Sequence, residues 1–345
     1  MIHGGYIYDH DIAMDFSVNL NPLPIPDSVK DAMYQALSSV SCYPDPTQTS
    51  VRQSLAGLHT VSFAQILGGN GASELLFAIV SMLRPKKALL IQPGFFGYEH
   101  ALSSVDCRIR NYQLKEEDDF ALTDDLIPYL EEKPDILFLT NPNNPTGKLI
   151  ETDLLDRILS LCKAYRITVV LDECFYEMSS HPMDSKTRYR DMLATYPNLY
   201  ILKAFTKLFR IPGIRSGYVL GQEENIKALR QHLPEWNMSV IAQNTAVACA
   251  DCLLTTDYLL QTRRIIEEQR HFLQSKLTAL GFTVYDSQSS FLLLRSQRDL
   301  YKELLSRNVL IRDCSNFHGL SKGYYRIAVK DEKSNQALLN LLSES

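Results

Sequence analysis

Nowhere in these 345 residues does an apolar run approach the ~20 residues that a helix needs to cross a bilayer. The opening residues, MIHGGYIYDHDIAMDFSVN, show no basic start followed by an apolar core of the kind that marks a secretory leader. A soluble, cytoplasmic protein is expected. Dense runs of one charge are also missing: 35 Lys and Arg stand against 40 Asp and Glu, a formal net charge of −5, with no Lys/Arg stripe to track a phosphodiester backbone. Nucleic acid and membrane are therefore not expected partners. Cysteine is sparse and odd in number, seven scattered positions, which fits free buried thiols better than a disulfide framework. Cys249 and Cys252 form a C-x-x-C, but in an Ala-rich helical stretch with no second ligand pair nearby, so no metal is expected. Internal repeats are absent. The segment GGNGASE (68–74) lacks both the G-K-[ST] of a P-loop and the third glycine of a dinucleotide fingerprint, which leaves ATP and NAD poorly supported.

What is present is a chain with 45% hydrophobic and 22% charged residues, long enough for one large domain and a smaller one. Short β-rich runs alternate with helical patterns. ALLIQ (88–92), ILFLT (136–140), TVVL (168–171), LYIL (199–202) and YVL (218–220) are apolar without polar alternation, as strands covered on both faces should be. Between the second and third of these, Leu154, Leu155, Ile158, Leu161, Cys162 and Tyr165 recur at helical spacing and predict a crossover helix. One long helix is predicted over 256–280, then β-like runs at 291–294 and 325–329 among further helices. The expected architecture is α/β: a large domain with a mainly parallel sheet between helices, plus a smaller α+β domain.

Open parallel sheets bind ligands just beyond the carboxyl ends of their strands, so the residues after each run carry the chemistry. GGNGASE opens the apolar helix LLFAIVSML; its N-terminus offers unpaired N–H groups to an anion, although taken alone a glycine-containing turn with Ser73 or Asn70 capping a core helix is the simpler reading. NPNNPTG (141–147) follows ILFLT and is either a strand-breaking turn or a ligand loop in which the Asn144 side-chain N–H reaches a ring substituent. Asp172 and Glu173 follow TVVL, where a carboxylate either caps a helix or pairs with a protonated pyridine nitrogen and keeps that ring an electron sink. AFTKLFRIPGIRSGY (204–218) follows LYIL. Desolvation among its apolar residues would lower the pKa of Lys207 and make it a Schiff-base former, and Arg215 is placed to clamp a phosphate.

Taken in this order, these residues resemble the fold-type I pyridoxal 5′-phosphate (PLP) enzymes of the class I/II aminotransferase superfamily, across nearly the whole chain. The resemblance implies the aspartate aminotransferase-like, PLP-dependent transferase fold, with an N-terminal segment (1–25) lining the active site, a large PLP-binding domain (26–235) and a small C-terminal domain (236–345). It implies PLP on Lys207, with Ala72, Ser73 and Arg215 at the phosphate, Phe95 of PGFFGY stacked on the ring, Asn144 at the phenolic oxygen and Asp172 at the pyridine nitrogen. Tyr43, in YPDP, resembles a tyrosine that reaches the neighbouring subunit's cofactor, which implies a homodimer with shared sites. Two positions depart from the family pattern. Phe175 stands where many relatives carry a tyrosine, with Tyr176 as a possible replacement, and Ala204 stands where they carry Ser or Thr, with Thr206 as the substitute.

Within the superfamily, HGG (3–5), DFSVNLNPLPIP (15–26) and LIRDCSNFHGLSKGYYRIAV (310–329) are similar to threonine-phosphate decarboxylases. That branch acts on L-threonine O-3-phosphate in cobalamin side-chain synthesis. The similarity implies that Arg326 holds the substrate carboxylate, that His3 and Arg312 bind its phosphate, and that Gly4 and Asn21 line the pocket; two anions on one substrate suit two guanidinium groups. The alternatives are histidinol-phosphate aminotransferase and a non-catalytic PLP-fold binding protein.

Overall fold

The computed structural model, which describes residues 4–181 and 185–344, opens with the two-residue strand β1 (Met14–Asp15). A seven-stranded sheet follows, made of β2 (Ile66–Asn70), β3 (Lys87–Gln92), β4 (Arg108–Gln113), β5 (Ile136–Thr140), β6 (Thr168–Asp172), β7 (Leu199–Ala204) and β8 (Ser216–Leu220). Their order across the sheet is β2-β8-β7-β6-β5-β3-β4. The strands from β7 through β4 pair in parallel, whereas β8 is antiparallel to both its neighbours.

The apolar runs are strands because both faces are covered. Along β3 and β5, Leu89, Ile91, Leu137 and Leu139 enter one core, while the alternate Ala88, Leu90, Ile136 and Phe138 enter another. Each of the Leu, Ile and Phe side chains taken fully out of water contributes about 1.5–3 kcal/mol. The predicted crossover helix is Thr152–Tyr165, which buries Leu154, Leu155, Ile158, Leu159 and Cys162. Leu159, outside the predicted stripe, is fully covered, whereas Leu161 and Tyr165 lie at its margin.

Two strands of the large sheet were not expected. β4 is the sheet's edge, and most of its polar RIRNYQ sequence stays in water, so it carries no apolar run. β2 contains Gly68 and Gly69 of the segment read as a helix-opening turn; the helix itself, Ala72–Leu83, begins only after Gly71. Gly217 of β8 explains how closely that helix start can sit: a Cβ there would lie 2.4 Å from the Ala72 nitrogen.

The C-terminal part contains β9 (Thr283–Val284), β10 (Phe291–Arg295), β11 (Val309–Leu310), β12 (Arg312–Asp313) and β13 (Tyr324–Ala328). Four of them form an antiparallel sheet in the order β12-β13-β10-β9, and β11 pairs in parallel with β1. The N-terminal segment is thereby fastened to this smaller unit: Phe16 is completely buried in the same core as Leu273, Leu292 and Ile327. The helix Val240–Thr255 packs instead on Asp27–Ala36 and Thr49–His59, beside the large sheet. Cys249 and Cys252 are buried within it. Among the described residues, no helix is long and apolar enough to cross a membrane.

Candidate active site

Strands β4 and β5 flank β3 on opposite sides, so the chain reverses its winding there, and the crevice at such a reversal is where open α/β sheets take ligands. A cavity of about 350 Å³ lies at this place, and its wall includes residues from the carboxyl ends of β3, β5, β6 and β7. After Ala204 the chain turns at once into the short helix Phe205–Leu208, whose Phe205 and Leu208 are buried anchors and whose Lys207 faces the cavity. Burial, helped by the charges of Arg326 and Arg215, lowers the Lys207 amine to about 8. An appreciable neutral fraction at neutral pH makes it a nucleophile, which an exposed lysine is not.

Asp172, the last residue of β6, accepts hydrogen bonds from the Tyr98 hydroxyl at 2.8 Å and from the Cys174 backbone N–H at 3.0 Å. In the same wall the Arg326 guanidinium donates to Asn144 Oδ1 and, at 2.7 Å, to the Ser17 carbonyl. Asn144 therefore keeps its N–H₂ as a donor toward other groups. Burial pulls the Arg326 guanidinium down to about 10, with the charge of Arg312 adding to the effect. Its Nε is buried without a hydrogen-bond partner among the described residues. Such a donor in a cavity wall suits an anionic ligand.

The start of the helix Ala72–Leu83 supplies further donors. Ala72 and Ser73 line the cavity, and Gly71, at φ +81°, caps the helix with no side-chain hydrogen bond. A Cβ on Gly71 would lie 2.4 Å from the Arg215 guanidinium, so glycine is what lets that side chain lie across the helix start. Unpaired N–H groups, the positive dipole end and a guanidinium together make an anion cradle.

A family model, Aminotransferase class I and II, matches residues 11–342. The chain belongs to that family. A threonine-phosphate decarboxylase of Salmonella typhimurium is 36% identical over 354 residues, covering 99% of this chain and 95% of its own. Among solved structures, a histidinol-phosphate aminotransferase from Clostridium acetobutylicum superposes with a TM-score of 0.87 at 29% identity, covering 96% of this chain and 98% of its own. An L-threonine-O-3-phosphate decarboxylase from Porphyromonas gingivalis superposes with a TM-score of 0.83 at 26% identity, covering 96% and 98%. Class I and II aminotransferase relatives use PLP, and the cofactor of this chain is PLP. The cavity fits it on two counts: a lysine amine lowered to about 8 and an anion cradle that any side chain on Gly71 would fill.

Most of the residues singled out in the sequence meet in this family member's cavity. Gly4, Ala72, Ser73, Phe95, Asn144 and Asp172 line it, as do Thr206, Lys207, Arg215, Arg312 and Arg326. His3 lies outside the described residues. Asn21 is not in the wall. It is buried beneath, where its Nδ2 donates to the Leu208 carbonyl at 2.7 Å and to Thr262 Oγ1 at 2.8 Å, and its N–H donates to the Lys207 carbonyl at 3.1 Å. It braces the turn that carries the lysine, and Asn19 is the asparagine that faces the cavity. Tyr43 is 80% exposed, away from the cavity, with its ring 4.6 Å from that of Trp236. Phe175 lines the cavity, but Tyr176 does not replace the tyrosine of the relatives: it stacks on His181 on the other side of the strand ends.

Sequence reasoning passed over Tyr98, and also an ion network beneath the site. Glu173 is fully buried and accepts from Arg188 at 2.6 Å and Tyr189 at 2.7 Å, while Lys203, also buried, pairs with Glu173 at 3.5 Å and with Glu177. Burial alone would raise the Glu173 carboxyl, but the charges of Arg188 and Lys203 outweigh it and hold it well below the usual range. A lysine inside an otherwise apolar strand, KA after LYIL, was the available signal.

Proposed function

We propose that this family member decarboxylates L-threonine O-3-phosphate to (R)-1-amino-2-propanol O-2-phosphate, a step of cobalamin biosynthesis. One observation carries the reading. Arg312 and Arg326 are direct cross-strand partners on β12 and β13, both are buried, and both line the cavity that holds Lys207. Like charges placed opposite one another are unfavourable unless anions offset them. A substrate with a carboxylate and a phosphate offsets both. The 36% identity to a threonine-phosphate decarboxylase supports the same choice.

When bound, PLP supplies an aldehyde that takes up amines and a ring that accepts the electron pair of a bond broken at the α-carbon. Lys207 holds it through the neutral fraction of its amine. Asp172 would pair with the pyridine nitrogen, Asn144 would donate its N–H₂ to the phenolic oxygen, and Phe95 would cover the ring face. Arg215, Thr206 and the N–H groups at Ala72 and Ser73 take the cofactor phosphate. Arg326 would grip the substrate carboxylate and Arg312 the substrate phosphate. By fixing both anions, Arg326 and Arg312 would set the orientation of the substrate's α-carbon bonds in the cavity. Lys207 would return a proton to the α-carbon from which carbon dioxide is lost. Tyr43 extends from its exposed face to a second copy's cofactor phosphate, giving a homodimer with shared sites.

A histidinol-phosphate aminotransferase is the second reading, favoured by the 0.87 TM-score superposition. Purified, PLP-loaded protein is incubated with L-threonine O-3-phosphate and, separately, with histidinol phosphate and 2-oxoglutarate. Carbon dioxide from the first without glutamate from the second is expected. Glutamate without carbon dioxide overturns the decarboxylase reading.

A further inference from the structure

Tyr98 lies in the short helix Gly97–Leu102 and is almost wholly buried. Its ring stacks on Phe138 of β5, with centroids 5.0 Å apart and planes at 19°, and meets the edge of Phe95 at 5.4 Å. Its hydroxyl stands 2.8 Å from Asp172 Oδ2 and 2.8 Å from Thr140 Oγ1. A carboxylate only accepts, so the phenolic proton goes to Asp172 and the Thr140 hydroxyl donates to Tyr98. The result is a one-way chain, Thr140 to Tyr98 to Asp172, ending on a carboxylate whose other oxygen is already tied to the Cys174 N–H. Each Asp172 oxygen thus carries one fixed donor. The carboxylate plane is set by these two contacts.

We propose that Tyr98 is a positioning residue for the reaction: its hydroxyl fixes and polarises Asp172, so that Asp172 keeps the cofactor's pyridine nitrogen protonated. The same ring backs Phe95, so one side chain supports two cofactor contacts. Burial first, and then the charge of Asp172, holds the phenol well above its ordinary pKa, which keeps it a donor across the working range. The inference rests on the reading of Asp172 as the partner of the ring nitrogen.

Tyr98→Phe removes the hydroxyl and keeps the ring. The test is the 15N resonance of PLP labelled at the pyridine nitrogen and bound to the protein, together with steady-state kinetics. In Tyr98→Phe the resonance is expected to move toward the unprotonated position, with kcat about tenfold lower and KM little changed, as for losing a hydrogen bond to a charged group. Thr140→Val, which removes the donor one step back, is expected to move the resonance less and in the same direction, and it carries the test alone if Tyr98→Phe does not fold. Asp172→Asn is the reference and moves it most. A wild-type resonance in Tyr98→Phe and Thr140→Val, with Asp172→Asn shifted, overturns the role of Tyr98. An unshifted Asp172→Asn overturns the reading of Asp172 itself, and the role of Tyr98 with it.

Discussion

The Lys207 amine, lowered to about 8 first by burial, is held down further by the charge of Arg326. The neutral amine is the attacking form, so uptake of PLP by the apoprotein should accelerate as pH rises through about 8 and then level off. Arg326→Gln removes the charge and should move that inflection upward, read by following cofactor absorbance after mixing at a series of pH values. The sign for stability follows from the same shift. A lysine whose folded pKa lies below its ordinary 10.5 contributes most above that value, and the contribution is lost as pH falls toward about 8. An inflection that stays put in Arg326→Gln contradicts the coupling.

The paired arginines should separate by substrate. Arg312→Gln is expected to lower kcat/KM for L-threonine O-3-phosphate about 10²-fold, the scale of a charge-assisted contact, and to leave slow turnover of unphosphorylated L-threonine nearly unchanged. Arg326→Gln should depress both, because both substrates carry the carboxylate. Equal losses on both substrates for Arg312→Gln would contradict its assignment to the phosphate.

Beneath the cavity, Lys203 is 1% exposed and Glu173 is completely buried, so the network ties the ends of β6 and β7 one residue past Asp172 and four before Lys207. Lys203→Met leaves buried carboxylate charge short of a partner and should cost about 3 kcal/mol in denaturant unfolding. Lys203→Arg should recover most of it. Wild-type stability in the methionine variant would show that Arg188 alone suffices.

Tyr43 is not among the residues lining its own chain's cavity, so the proposed contact with a cofactor would be made across a dimer. Tyr43→Phe should weaken PLP binding about tenfold while sedimentation still reports a dimer. Unchanged affinity contradicts the shared site.

Much of this was legible because fold and cofactor chemistry write themselves in different ways. Strands β3, β5, β6, β7 and β8 are apolar runs, and Asn144, Asp172 and Lys207 lie at or within four residues of the ends of β5, β6 and β7. Strand β4 was hidden because an edge strand in water needs no apolar pattern. Asn21 and Asn19 are two residues apart in one irregular segment, and only the packing of Tyr258 and Thr262 decides which of them turns inward to the turn at Lys207. Tyr98 was illegible for a related reason: it reaches Asp172 across 74 residues, and no local pattern records a contact that tertiary packing makes.

The most direct test of the central claim uses L-threonine O-3-phosphate labelled with 13C at the carboxyl carbon, incubated with the PLP-loaded protein in D₂O and followed by NMR. The account predicts that the label leaves as carbon dioxide while one deuterium enters the carbon that carries the amine in 1-amino-2-propanol O-2-phosphate. Label retained in a 2-oxo acid, with the amino group transferred to the cofactor, would contradict it.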